Sequence, residues 1–254
     1  MIELVAFLGN PGKEYSHNRH NAGFLLAEKT AFGADLLWQR KFKGFYATLD
    51  KCRLTAYLPN DTLPGRGDNS GSGGNAGAGE ADVGGTSFGP DRISGSGFPS
   101  RIHFIKPLTF MNLSGESVFQ AASFFKIKTS SVLVVHDELE LPLGTVSLKF
   151  GGGLGGHNGL RSMKASFGNA DFWRIRIGIG RPDSRQPGEG GPHNSGEGIV
   201  DWVLSDFGRE EAETMGRVLE TGADLLLRSL TGNPESLLPE WAKKKVPENG
   251  PHLT

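Results

Sequence analysis

The chain alternates short apolar runs with longer amphipathic stretches. Residues 2–8 are almost continuously apolar and stop at Gly9-Asn10-Pro11-Gly12, which predicts a buried strand closed by a turn. From 21 to 32 the placement of Phe24, Leu25, Leu26, Ala27 and Ala31 suits a helix laid on a sheet. Further strands are predicted at 45–49, 53–58, 101–105, 132–136, 146–150 and 172–179. Helices are predicted at 117–125 with Ser114 as N-cap, at 156–167 entered through glycines, and at 209–230, long and amphipathic. Strands and helices alternate throughout, which points to a single α/β domain over 1–254 with a mixed sheet.

Two stretches break the pattern. Residues 59–99 are dense in Gly, Ser, Asn and Asp with almost nothing apolar, and 183–198 has the same character. Such segments cannot offset the entropy of ordering, so both are read as disordered insertions. They hold most of the excess glycine, and the remainder has enough aliphatic and aromatic residues for an ordinary core. The first insertion is expected to interrupt a strand pair, 53–58 with 101–105, that a short turn would otherwise join.

Composition narrows the function. One cysteine, Cys52, excludes an intramolecular disulfide and fits a reducing compartment. The opening apolar run is too short for a signal sequence, and no run approaches the ~20 residues that span a bilayer. The expected location is the cytoplasm, with no membrane association. A formal net charge of −1 gives no global argument for nucleic acid, so RNA binding would need a local basic patch.

Four segments combine polar side chains with tight turns. The first runs from Gly9 to Asn21 and places His20 just past a strand, where a histidine serves as general base, metal ligand or helix cap. In the second, Lys106 to Gly115, Asn112 can hold an ester carbonyl or cap the next helix. The third, Val134 to Pro142, ends a strand in His136-Asp137-Glu138, where Asp137 can orient an imidazole or bind a cation. The fourth, Gly151 to Leu160, is a glycine-rich helix entry that lacks the P-loop ending and the dinucleotide fingerprint. His136, Asp137, Glu138 and His157 together match no strong zinc spacing, so no metal is expected.

Asn10-Pro11-Gly12-x-x-Tyr15…Arg19-His20-Asn21, Lys106-Pro107-x-Thr109-Phe110-Met111-Asn112-x-Ser114-Gly115, His136-Asp137-Glu138-Leu139 and Gly155-Gly156-His157-Asn158-Gly159-Leu160, in this order, resemble the motifs of bacterial peptidyl-tRNA hydrolases. Residues 174–182 and 200–204 extend the resemblance over essentially all of the chain outside the two insertions. The expected fold is a three-layer α/β/α domain around a mixed, mostly parallel twisted sheet.

The resemblance implies hydrolysis of the ester between a peptide and the tRNA 3′ ribose, without a cofactor. His20 would be the base that activates water, and Asp137 would orient it. Asn10, Asn112 and Asn158 would position the substrate and polarise its carbonyl. Tyr15 and His157 would contact the substrate, and Lys149 and Arg176 would hold the tRNA 5′ phosphate. The implied partner is the acceptor stem and 3′ end of peptidyl-tRNA, bound by a monomer. The alternative is a non-catalytic RNA-binding relative.

Overall fold

The computed structural model describes residues 1–59, 101–182 and 196–247. Strands β1 (Leu4–Phe7), β2 (Gln39–Lys41), β3 (Gly44–Asp50), β4 (Arg101–Pro107), β5 (Val132–Glu138), β6 (Thr145–Phe150), β7 (Trp173–Gly178) and β8 (Lys244–Lys245) form one sheet in the order β2-β3-β4-β1-β5-β7-β6-β8. The four central strands, β4, β1, β5 and β7, are parallel to one another. Only β3 and β6 run against the other strands, so the mostly parallel sheet expected from the sequence is found, with antiparallel pairing at its margins.

Among the described residues seven helices flank the sheet: α1 (Ala22–Glu28), α2 (Lys51–Thr55), α3 (Ser114–Phe125), α4 (Asn158–Phe167), α5 (Gly196–Leu204), α6 (Arg209–Thr231) and α7 (Pro234–Trp241). Alternate strand residues explain the layers. Val5, Phe7, Leu133, Val135, Ile175 and Ile177 face a core shared with α1, α2, α6 and α7. Leu4, Ala6, Val132 and Val134 face a second core shared with α3 and α4. The central strands are buried on both faces, which is why they read as unbroken apolar runs.

Close approach requires glycine at two crossings. A Cβ on Gly23 would stand 2.4 Å from the Leu8 carbonyl oxygen, so α1 rests directly on β1. A Cβ on Gly115 would stand 2.2 Å from the Ser162 carbonyl oxygen, where α3 crosses α4.

Several expectations need correction. Residues 53–58 are not a strand: α2 and a turn occupy them, and β4 pairs with β3, from Asp50 opposite Arg101 to Gly44 opposite Pro107. Leu54, Tyr57 and Leu58 reach one core at helical spacing, whereas Ala56, which completes the alternation Leu54-Ala56-Leu58, is exposed. Helix α1 stops at Glu28, short of the expected 32, and Thr30 Oγ1 donates back to the Ala27 carbonyl at 2.9 Å. Ser114 is the first residue of α3 rather than its N-cap; a 3-10 turn at Met111–Leu113 leads straight into the helix, and the Gly115 amide donates to Ser162 Oγ at 2.9 Å. The expected insertion at 59–99 lies outside the described residues apart from Pro59, as does 183–195, whereas 196–198 already belong to α5.

Candidate active site

Strands β1 and β4 are neighbours, yet β1 is followed by a helix on one face of the sheet and β4 by a helix on the other. Such a reversal opens a crevice at the carboxyl edge. The loops that leave β1, β4 and β5 all empty into it.

His20 sits in a 3-10 turn, Arg19–Asn21, at the head of α1 and is 7% exposed. Its Nδ1 lies 2.9 and 3.0 Å from the two carboxylate oxygens of Asp137 on β5. Nδ1 therefore carries the proton and donates it, leaving the Nε2 lone pair for chemistry. Burial by itself lowers the imidazole pKa, but the Asp137 charge and hydrogen bond outweigh it and hold the pKa above the ordinary 6.5. For Asp137, burial favours the neutral acid, and the charges and hydrogen bonds of His20 and His157 override that, keeping its pKa well below 3.8.

His157 is the N-cap of α4. Its Nδ1 accepts from the Gly159 amide at 3.0 Å and, at 3.4 Å, from that of Leu160, while its Nε2 lies 3.0 Å from Asp137 Oδ1. His20, Asp137 and His157 offer ligand atoms within 4.8 Å of one another, close enough to hold a cation. The hydrogen-bond polarity argues against that use. A cation would need the Nε2 lone pair of His157, which would move its proton to Nδ1, against two amide donors. The set fits hydrogen bonding better than coordination.

Asn10 is locked. Its Oδ1 accepts from the Met111 amide at 2.8 Å, while its backbone exchanges hydrogen bonds of 2.7 and 3.0 Å with the Asn21 side chain. With Oδ1 engaged, the Asn10 amide NH₂ is the group left for the cavity. That cavity, of about 440 Å³, brings together Asn10, Tyr15, His20, Asn112 and Asn158 with Phe110, Met111, Val200 and Leu204. A second cavity, of about 320 Å³, shares His20, Asn158, Val200 and Val203 with it and adds Glu138, His157, Arg161 and Arg181. The three amides and His20, drawn from three separate motifs, thus line one crevice with an apolar side.

Lys149 and Arg176 line neither cavity. They lie on the α3/α4 face of β6 and β7, where Lys149 stands opposite Arg174. Arg176 Nε pairs with Glu138 Oε2 at 3.0 Å. Arg174, 1% exposed, donates to the Gly153 carbonyl at 2.7 Å, while its Nε and Nη2 have no hydrogen-bond partner. Burial, then the charges of Arg174 and Arg176, lower the Lys149 pKa, as expected for three cations beside one carboxylate.

Sequence reasoning missed the clamp that positions the turn bearing His20. Arg19, 3% exposed, lays its guanidinium 3.8 Å over the Trp202 ring and 4.8 Å over Phe207. It thereby ties the turn bearing His20 to α5 and to the start of α6. The signal was an arginine beside the candidate base together with aromatic residues far along the chain, which no local pattern connects.

A histidine held by a carboxylate, three neutral amides and an apolar side in one cleft at a sheet's carboxyl edge are the groups that a hydrolase of acyl compounds uses. Residues 4–61 and 86–249 match the family model described as peptidyl-tRNA hydrolase. A peptidyl-tRNA hydrolase of Treponema pallidum (strain Nichols) is 39% identical over 249 residues, covering 96% of each chain. The chain belongs to the peptidyl-tRNA hydrolase family. Among solved structures, a peptidyl-tRNA hydrolase in complex with n-propanol has a TM-score of 0.68 at 25% identity, covering 97% of this chain and 96% of its own. An arginine-to-glutamine mutant of the Acinetobacter baumannii peptidyl-tRNA hydrolase has a TM-score of 0.66 at 26% identity, covering 95% and 94%.

Proposed function

We propose that this chain hydrolyses the ester joining the peptide to the 3′ ribose of peptidyl-tRNA, with His20 as the general base. The observation that carries the reading is the His20–Asp137 pair, which opens onto the same cavity as Asn10, Asn112 and Asn158. Water attacks the ester carbonyl carbon while His20 Nε2 takes its proton. Asp137 stabilises the imidazolium that forms, the orienting role of a triad carboxylate with water as the nucleophile. Amide N–H groups of the three asparagines face the charge that develops on the carbonyl oxygen. The tetrahedral intermediate collapses, the ribose oxygen leaves with the proton from His20, and a peptide carboxylate and free tRNA result.

The apolar side of the cavity, with Phe110, Met111, Val200 and Leu204, suits the peptide. Tyr15 offers a stacking face for the terminal nucleotide, worth ~1–3 kcal/mol if a base stacks on it. Lys149 and Arg176 are read as contacts to the tRNA 5′ phosphate, which position the acceptor stem without reading sequence. On this reading the enzyme is a cytoplasmic, single-domain monomer. Among the described residues no helix is long and apolar enough to cross a membrane.

The test is release of free tRNA from an N-blocked aminoacyl-tRNA by wild type and His20→Ala, each repeated with EDTA. Turnover lost in the mutant and retained in EDTA is the expected result. Equal turnover in both proteins would remove His20 as the base, and absent turnover in both, with tRNA still bound, would leave the non-catalytic RNA-binding reading.

A further inference from the structure

We infer that His157 is a positioning residue: it acts through Asp137, as the second donor on the carboxylate that holds the base, rather than by binding substrate. This deepens the reading of His20 as base and rests on it.

The tautomer of His157 follows from its neighbours. Its Nδ1 accepts from Gly159 N–H and Leu160 N–H at the head of α4, so its proton sits on Nε2. That N–H points at Asp137 Oδ1, 3.0 Å away. His20 Nδ1–H donates to the same oxygen at 2.9 Å and to Oδ2 at 3.0 Å. The carboxylate is therefore shared between two imidazoles that enter from opposite layers, His20 with α1 and His157 with α4. The rings lie 4.9 Å apart between centroids.

Sharing has a consequence. Each donor draws on the same negative charge, so the second donor limits how firmly Asp137 holds the imidazolium of His20. Without it, Asp137 would grip the protonated base more strongly, and the base would be blocked up to a higher pH. His157 keeps the carboxylate in place while tempering its pull. Because the same ring caps α4, the glycine-rich entry to that helix and the charge at the base are tied by one side chain.

The other charged neighbours do not supply this role. His136 stands edge-on to His157, 5.0 Å between centroids, but its Nδ1 is turned to the Asp137 backbone carbonyl, and Arg174 lies behind it. Glu138 is paired with Arg176. Arg161 and Arg181 line the outer wall, and Arg181 is bound to Glu140.

Two substitutions separate the two bonds of the ring. In His157→Asn the amide oxygen replaces Nδ1 and keeps the cap, while the donor to Asp137 is lost. In His157→Gln the amide nitrogen replaces Nε2 and keeps the donor, while the cap is lost. The acid limb of the kcat/KM profile on N-blocked aminoacyl-tRNA is expected to move upward by about half a pH unit or more in the Asn variant. In the Gln variant the limb is expected to stay at its wild-type position while the melting temperature falls. An acid limb in the Asn variant that coincides with wild type, whatever the loss of rate, overturns the inference.

A measurement on the unaltered protein stands apart from activity. Nitrogen-15 correlation spectra of its imidazoles are expected to show the Nε2–H tautomer at His157, and an Nδ1–H tautomer there overturns the inference. If His20→Ala retained full turnover, the base reading would fail, whereas the tautomer would still report on the geometry alone.

Discussion

Arg19 and Glu211 join through two parallel hydrogen bonds, Nη1 to Oε1 at 3.1 Å and Nη2 to Oε2 at 2.7 Å, between the turn that holds His20 and the first turn of α6. The arginine is nearly enclosed, while the glutamate keeps about a third of its side chain in solvent. Glu211 Oε2 also accepts from the Gly208 amide at 2.8 Å and so caps its own helix. Removing the guanidinium leaves the glutamate with that cap but forfeits the fork and both ring contacts. Arg19→Ala is expected to cost roughly 2–3 kcal/mol, below the full cost of breaking a wholly buried pair because one partner is part-exposed. A thermal melt should show this as a drop of about 5–10 °C. Arg19→Lys should recover little, since an ammonium cannot form the fork.

The rate should fall on the acid side through His20, because only the neutral imidazole can accept a proton from water. With its pKa held above 6.5, the acid limb of kcat/KM is expected above that pH. Asp137→Asn should lower kcat by roughly 10³–10⁴-fold, as in triads that lose the orienting acid. The two groups act oppositely on stability. His20, raised, contributes stability that is full below 6.5 and lost as pH rises through its folded value. Asp137, depressed, contributes stability that is present above 3.8 and lost as pH falls through its folded value. Urea unfolding across pH 4 to 8, run beside the rate profile, should show activity vanishing on acidification while the fold persists.

Substitutions at Asn112 and Asn10 should separate loss of rate from loss of stability. Asn112 is exposed, so Asn112→Asp should fold normally and lose about 10²–10³-fold in kcat by placing an acceptor where a donor is needed. Asn10→Asp keeps the oxygen that accepts from the Met111 amide, whereas Asn10→Ala also frees that loop. Both should lose kcat, but only the Ala variant should lose melting temperature. Wild-type turnover in Asn112→Asp would remove that residue from the mechanism.

Lys149→Ala should raise KM for tRNA substrates and leave kcat nearly unchanged. If the lysine meets a phosphate, the slope of log affinity against log salt should fall by about one. A slope equal to wild type would make Lys149 an ordinary surface charge.

Gly115→Ala should be among the most damaging single methyl additions. The new atom would meet backbone of α4, which cannot step aside as a flexible side chain would. Loss of cooperative folding, or of several degrees in the melt, is the expected outcome, and an unchanged melt would refute the crossing.

Much of this was legible because chemistry and periodicity agreed. β1 and β5 announced themselves as apolar runs that stop at polar turns; the loop after β1 held His20, while Asp137, one residue past the predicted end of β5, lies within that strand. Residues 53–58 misled because Leu54, Ala56 and Leu58 alternate while Leu54, Tyr57 and Leu58 follow a helical spacing, and it is the second set that packs on the first core. The cap of α3 misled because a serine at a helix start looks the same whether it precedes or begins the helix. His157 was placed near the site, but its two bonds were invisible, since they depend on a strand and a helix end meeting in three dimensions. The Arg19 clamp was hidden for the same reason, with its partners 183 to 192 residues away.

The separation along the chain carries one more meaning. His20 and Asp137 are 117 residues apart and touch only because β5 has docked beside β1. An amino-terminal stretch emerging from a ribosome holds the histidine without its carboxylate, and an intermediate with helices but no closed sheet holds neither in place. Joining the two groups therefore requires β5 to have docked beside β1, and a chain cut short before Asp137 lacks the pair that would cleave the ester still tethering it to its own tRNA.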